Sequence, residues 1–346
     1  MPVRPVDHGI AASAAGGGFA FTIDSGSWTV TNYGSGASAY TSLKCTAGGA
    51  ITVTANPAAL TWDVLYIGGG GGATAPNTYV GVATTVGAGG GGGGGGMDTD
   101  TGLTVNEESY TAVIGAGGAS STYGDGSQGN LSSFGPTSAV VTRYGGGAGN
   151  RTPNQLTVCS PPNSGTDAGS AGGPCSLVNY NNQAYTGDGP VSGGTYGNSS
   201  GQAASVAYLG FLPQAGGAGG GGRGGGGGYG SVSTTAYGGL GGSGSYNDYF
   251  DGTVDYYAGG GGGTCGYSNG AGGGGTANAN GGGGDGMFWA QSSNPTRYAG
   301  AGTANSGGGG GGGGVNHTGS STIPMAGGYG GSGVIIVRIL GTWAAS

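Results

Sequence analysis

The chain counts 346 residues, 98 of them glycine and 13 proline, against a usual glycine share of roughly 7%. Charged residues make up only 6%, the net charge is −7, and thirty side chains are aromatic; disordered chains have the opposite profile, rich in charge and poor in aromatics. This argues against helix bundles and parallel α/β enzymes and predicts an ordered glycine-rich architecture.

Residues 1–15 show no basic segment followed by an apolar core, so no secretory signal is expected. Residues 1–49 read as a leader with moderate glycine, in which 19–23 (FAFTI) and 27–30 (SWTV) alternate as half-buried strands do. Two further strands are expected at 50–55 and 60–67, with Asn56-Pro57 marking the turn between them. Glycine runs then follow at 68–72, 89–96, 145–147, 219–222, 224–228, 259–263, 272–275, 281–284 and 307–314. Asp98-Thr99-Asp100-Thr101-Gly102 lacks the later ligands and terminal glutamate of a calcium loop, and reads as a solvated turn. Tyr110–Ile114 is a strand entering Gly115-Ala116-Gly117-Gly118. The 150–214 segment reads as an exposed elaboration, and 333–340 (GVIIVRIL), short and β-branched, as a buried strand.

No run keeps a Gly-X-Y period, which excludes a collagen triple helix. An α-helix is equally excluded, since each glycine costs roughly 0.8–1.0 kcal/mol relative to alanine. Linkers join domains, and no domain-sized sequence lies between these runs. The remaining conformation is an extended left-handed helix of the polyproline II type, with three residues per turn and about 3.1 Å rise. Its N–H and C=O groups all point outward, and glycine lets neighbouring copies approach closely enough to pair them. The fold class expected is mainly irregular and β, with almost no α-helix: a layered sandwich of polyglycine II helices clamped by short β-strands.

The strand pair leading into Leu65-Tyr66-Ile67 and the first glycine run, the segment YTAVIGAGG at 110–118, and the closing GGYGGSGVIIVRI at 327–339 resemble the glycine-rich-domain proteins of tailed bacteriophages. They are similar in particular to polyglycine-sandwich adhesins at tail-fibre tips, over about residues 50–340. The resemblance implies a fibre or fibre-tip protein binding a host surface glycan or outer-membrane protein, non-enzymatic and without cofactor. It implies residence in the virion after assembly in the host cytoplasm. Residues 1–49 would attach to other virion proteins and 50–346 would form the glycine-rich domain, with a homotrimer as one assembly. The rival readings are a structural virion or filament protein and an ice-binding protein, although no short invariant repeat favours the latter.

Candidate site residues lie between the glycine runs. Tyr246, Tyr249, Tyr256 and Tyr257, with three carboxylates among them, and Phe288, Trp289 and Tyr298 combine aromatic faces with hydrogen-bonding groups, as recognition surfaces do. The alternative is that these rings cap the glycine layers. Catalysis finds no support: His8 and His317 stand beside no nucleophile motif, and the adjacent Glu107 and Glu108 would face opposite sides of a strand. Four cysteines without CxxC spacing and two histidines suggest no metal site; Cys159 and Cys175 could close a loop, buried thiols being the alternative. The GxGxxG matches carry no information without a following helix. With one lysine, Lys44, and six scattered arginines, nucleic acid is not an expected partner. Nor is membrane insertion, because no run of 18 apolar residues exists.

Overall fold

The computed structural model describes residues 11–14, 18–75, 86–122, 125–136, 141–143, 169–178, 184–185, 192–209, 212–232, 236–267, 280–289, 295–318, 321–341 and 343–345. Among these residues helix is confined to one 3-10 turn, Gly36–Ser38; the rest is strand and irregular chain.

One curled sheet holds ten strands. They are β1 (Ala11–Ala14), β2 (Ala20–Tyr33), β3 (Tyr40–Ala55), β4 (Thr61–Ile67), β5 (Met97–Thr104), β6 (Ser109–Val113), β7 (Ser132–Gly135), β8 (Val141–Arg143), β11 (Val334–Leu340) and β12 (Trp343–Ala345). A separate hairpin supplies β9 (Ser245–Asn247) and β10 (Asp255–Tyr257). The order is β12-β1-β2-β3-β11-β4-β5, with β6 pairing β3 and β7, and β8 pairing β7. β11 inserts between β3 and β4, with Val337 opposite both Leu43 and Val64.

Two-residue alternation sorts the side chains onto two faces. Trp62, Val64 and Tyr66 of β4 and Ile335, Val337 and Ile339 of β11 enter one core with Trp28, Leu43, Tyr110 and Phe134. Trp62 packs edge-on against Tyr110 at 4.6 Å and Phe134 at 5.4 Å. The intervening Leu65, Ile67, Val334 and Ile336 enter a second core with Met97, Tyr249 and Tyr257. The expected 49/50 boundary falls inside β3, so the leader and the glycine-rich part share one sheet. Asp98–Gly102 lies in β5 rather than in a turn, while Glu107 and Glu108 precede β6 instead of facing opposite sides of a strand.

Beyond β4 the packing becomes backbone on backbone. Five glycine-rich stretches, 68–75, 87–97, 216–222, 257–265 and 306–314, are buried throughout. From the first, residues 68, 71 and 74 donate N–H bonds to Gly96, Gly93 and Gly90; residues 69 and 72 donate to Asn130 and Ser127, and residues 70 and 73 to Gly331 and Gly328. Residues 217, 220 and 223 likewise reach Thr264, Gly261 and Ala258, whereas 218 and 221 reach Pro174 and Ala171, and 219 and 222 reach Gly228 and Gly225. Every third residue thus returns to the same neighbour, three positions along. A Cβ on Gly70, Gly92, Gly261 or Gly310 would collide with a carbonyl group of the adjoining stretch, which is why these stretches are glycine.

Outer stretches keep one side open, and there exposure recurs with the same period. Ala116, Ala119 and Thr122 are exposed, as are Ala326 and Tyr329. At the glycines of the inner stretches a side chain would meet backbone, whereas the outer stretches leave room for one at the positions that face away.

Candidate functional site

The segment 237–246 (YGGLGGSGSY) is the outer stretch with the largest exposed side chains. Gly239 and Gly242 donate N–H bonds inward to Gly217 and Gly220. A Cβ on Gly241 or Gly244 would strike the carbonyl of Gly260 or Tyr257. The remaining third of the positions is Tyr237, Leu240, Ser243 and Tyr246; Tyr237 is 51% exposed, Leu240 58% and Tyr246 67%, while Ser243 is half-buried with its hydroxyl beside Gly225. Exposed Tyr229 stands beside this row, since Gly228 donates its N–H to the carbonyl of Leu240.

At Tyr246 the row runs into the β9–β10 hairpin, where Tyr246 opposes Tyr256 with ring centres 6.4 Å apart, edge to face. The turn is tight: Gly252 has φ of 78° and donates its N–H to the Asp248 carbonyl, and Asp251 Oδ1 accepts the Thr253 N–H at 2.9 Å. The other side of the hairpin faces the sheet. Arg338 of β11 donates to Asp63 Oδ2 at 2.8 Å and reaches Asp248 at 3.6 Å, while its guanidinium stacks between Tyr40 and Tyr249. The Tyr33 hydroxyl donates to the Tyr249 carbonyl at 3.0 Å, and the Ser42 hydroxyl donates to that of Phe250. Lys44 lies 4.5 Å over the Phe250 ring.

Burial sets the electrostatics here. It pulls Lys44 below its ordinary value, with Asp255 and Asp251 pulling the other way. It raises Tyr249, against the opposing Arg338 charge, and it raises Tyr257, where Asp255 adds to the shift. For Arg338 burial acts downward, but the hydrogen bonds with Asp63 and Tyr33 outweigh it and raise the guanidinium. Both cations face inward and are engaged by the hairpin, so the exposed row carries no charge of its own.

The seven sequence-predicted aromatics therefore separate. Tyr246, Tyr256 and Tyr298 are exposed, the last by 72%, whereas Tyr249 and Tyr257 are buried as anchors. Phe288 and Trp289 form a strand paired with Pro295–Arg297; their side chains lie outside the described residues. So does Cys159, while Cys175 is fully buried. Sequence reasoning missed Tyr229, Tyr237 and Leu240. The three-residue spacing of Tyr237, Leu240, Ser243 and Tyr246 was the signal available for the row. Glu107 accepts the Asn56 N–H at 3.0 Å and Glu108 accepts from the Asn106 amide at 3.0 Å, which are structural tasks.

The model of a family described as a glycine-rich domain matches residues 45–340, from the middle of β3 to the end of β11. No curated protein matches the chain.

Proposed function

The chain belongs to the glycine-rich domain family, and on that premise we propose that it is an adhesin of a tailed-phage fibre or fibre tip, binding a host surface glycan or outer-membrane protein without catalysis. The buried stretches are then polyglycine II helices forming a rigid sandwich. Two observations support this: partners repeat every third residue, as three residues per turn require, and none of the glycines at 68–72, 89–96, 219–222, 259–263 or 308–313 has positive φ. A scaffold of this kind holds surface rings in place at little conformational cost on binding.

The observation that carries the reading is the exposed aromatic row at 237–246 with Tyr256, uncharged and mounted on backbone that cannot shift without breaking several hydrogen bonds. Assembly into the virion is assigned to the edge of the sheet where β1 pairs β12, Ala12 opposite Ala345, because an outermost strand offers unpaired backbone groups to another chain. For Tyr249 and Tyr257 the structural alternative is favoured, since both are buried.

The test is saturable binding of the purified chain to isolated envelopes of bacteria that the parent particle infects. The expected result is binding that blocks adsorption of the particle; envelopes that adsorb the particle but never the chain would reject the adhesin reading.

A further inference from the structure

We infer that the row Tyr237–Leu240–Ser243–Tyr246, with Tyr229 beside it, is a binding track for an extended, uncharged polysaccharide chain; this rests on the adhesin reading and names its ligand class. Three observations converge. The row is linear, because positions three apart on a threefold stretch share one side and the other two sides are occupied by backbone. At about 3.1 Å per residue, Tyr237 and Tyr246 stand about 28 Å apart, a length that suits several sugar rings in line. The chemistry of the row is tyrosine rings with one aliphatic and one hydroxyl side chain, which match the C–H faces and hydroxyls of sugars.

Charge selects among polymers. None of the five side chains is charged. The hairpin at one end brings Asp248, Asp251 and Asp255, while Lys44 and Arg338 are turned inward on Phe250 and Tyr249. The third cation beside the row, half-buried Arg223, is held by its Nε on the Met97 carbonyl at 3.0 Å. Among the described residues an anionic polysaccharide or phospholipid surface would therefore meet carboxylates while the neighbouring cations are already engaged. A protein loop would be held by one or two rings and would gain nothing from the length of the row.

The experiment titrates the full chain with a panel of unbranched neutral hexasaccharides built from glucose, galactose, mannose or N-acetylglucosamine, and with the matching disaccharides, by calorimetry. We expect at least one hexasaccharide to bind about tenfold or more tighter than its disaccharide, and dextran sulfate not to bind. Tyr237→Ala and Tyr246→Ala should each weaken that hexasaccharide about tenfold, while Tyr329→Ala leaves it unchanged; Leu240→Glu, a second variant at an exposed position, should abolish binding with thermal unfolding unaltered. Binding by no hexasaccharide, or binding that survives Leu240→Glu, overturns the track. If the saccharides fail while envelope binding persists and is lost on protease treatment of the envelope, the track falls and the adhesin reading stands. If a saccharide binds but no adsorbing envelope does, the adhesin reading falls instead.

Discussion

The guanidinium of Arg338 lies 3.8 Å above the ring centre of Tyr249, so a strand in the middle of the sheet grips the hairpin that carries the exposed Tyr246 and Tyr256. The grip is shared with Asp63, Asp248 and Tyr40, and it joins the second core to the surface row.

Arg338→Met should therefore free the hairpin before it damages the sheet. Desolvated cation–π contacts and charged hydrogen bonds are each worth about 2 kcal/mol, so a loss of about 2–4 kcal/mol is expected in chemical denaturation. Amides of 245–257 should exchange faster in hydrogen exchange, and those of β3 and β4 should change less. Arg338→Lys should not restore the hairpin, because an ammonium cannot stack in plane between two rings. Uniform loss of protection across the sheet would contradict this assignment.

Deleting residues 334–346 removes the strand between β3 and β4. Val334, Ile335, Ile336, Val337 and Ile339 are all at most 1% exposed. At roughly 1.5–3 kcal/mol for each such side chain, the loss is about 7–15 kcal/mol, comparable to the whole stability of a typical domain. The truncated chain should be insoluble or digested at once by protease; a stable soluble product would place the fold's core elsewhere.

The buried thiols predict chemical silence and alkaline weakness. Burial pushes Cys45 up to about 11 and Cys265 up to about 12, so neither should react with iodoacetamide at pH 8 until the chain unfolds. Because the folded values lie above the unfolded thiol value of about 8.5, the stability they contribute is present below about pH 8.5 and is lost as pH rises towards 11–12. Tyr33, Tyr110, Tyr249 and Tyr257 are raised in the same direction by burial, and add to the loss above about pH 10. Rising melting temperature between pH 8 and pH 11 would contradict these shifts.

Legibility in the sequence followed the side chains. The strands expected at 19–23, 27–30, 50–55, 60–67, 110–114 and 333–340 fall within a residue of the observed sheet or inside its longer strands, because apolar residues alternate or crowd there. The first half of β3 was not readable, since Thr41, Ser42 and Lys44 look like solvent-facing residues, yet Thr41 and Ser42 are fully buried and Lys44 lies under Phe250. β5 was misread as a turn because Asp98 and Asp100 alternate with threonine on a half-exposed strand. Within the glycine runs no side chain records which neighbour each residue meets, so the pairing was unreadable. The outer stretches do record it where their side chains recur every third residue, but the same spacing would carry the row on from Tyr246 to Tyr249, which is buried. The hairpin that begins at Ser245 ends the row, and nothing in the spacing announces it.

Two neighbouring residues test the threefold allocation of positions most directly. Gly241 faces the inner stretches, where a Cβ would meet the Gly260 carbonyl; Leu240, next to it, is 58% exposed in the outward row. Thermal unfolding of Gly241→Ala and Leu240→Tyr, measured side by side, should show the added methyl group abolishing or severely destabilising the fold. The far larger tyrosine should leave the melting temperature within about 2 °C of the parent, as for ordinary surface changes. Equal tolerance at both positions, or the reverse order, would contradict the bundle and the binding row built on it.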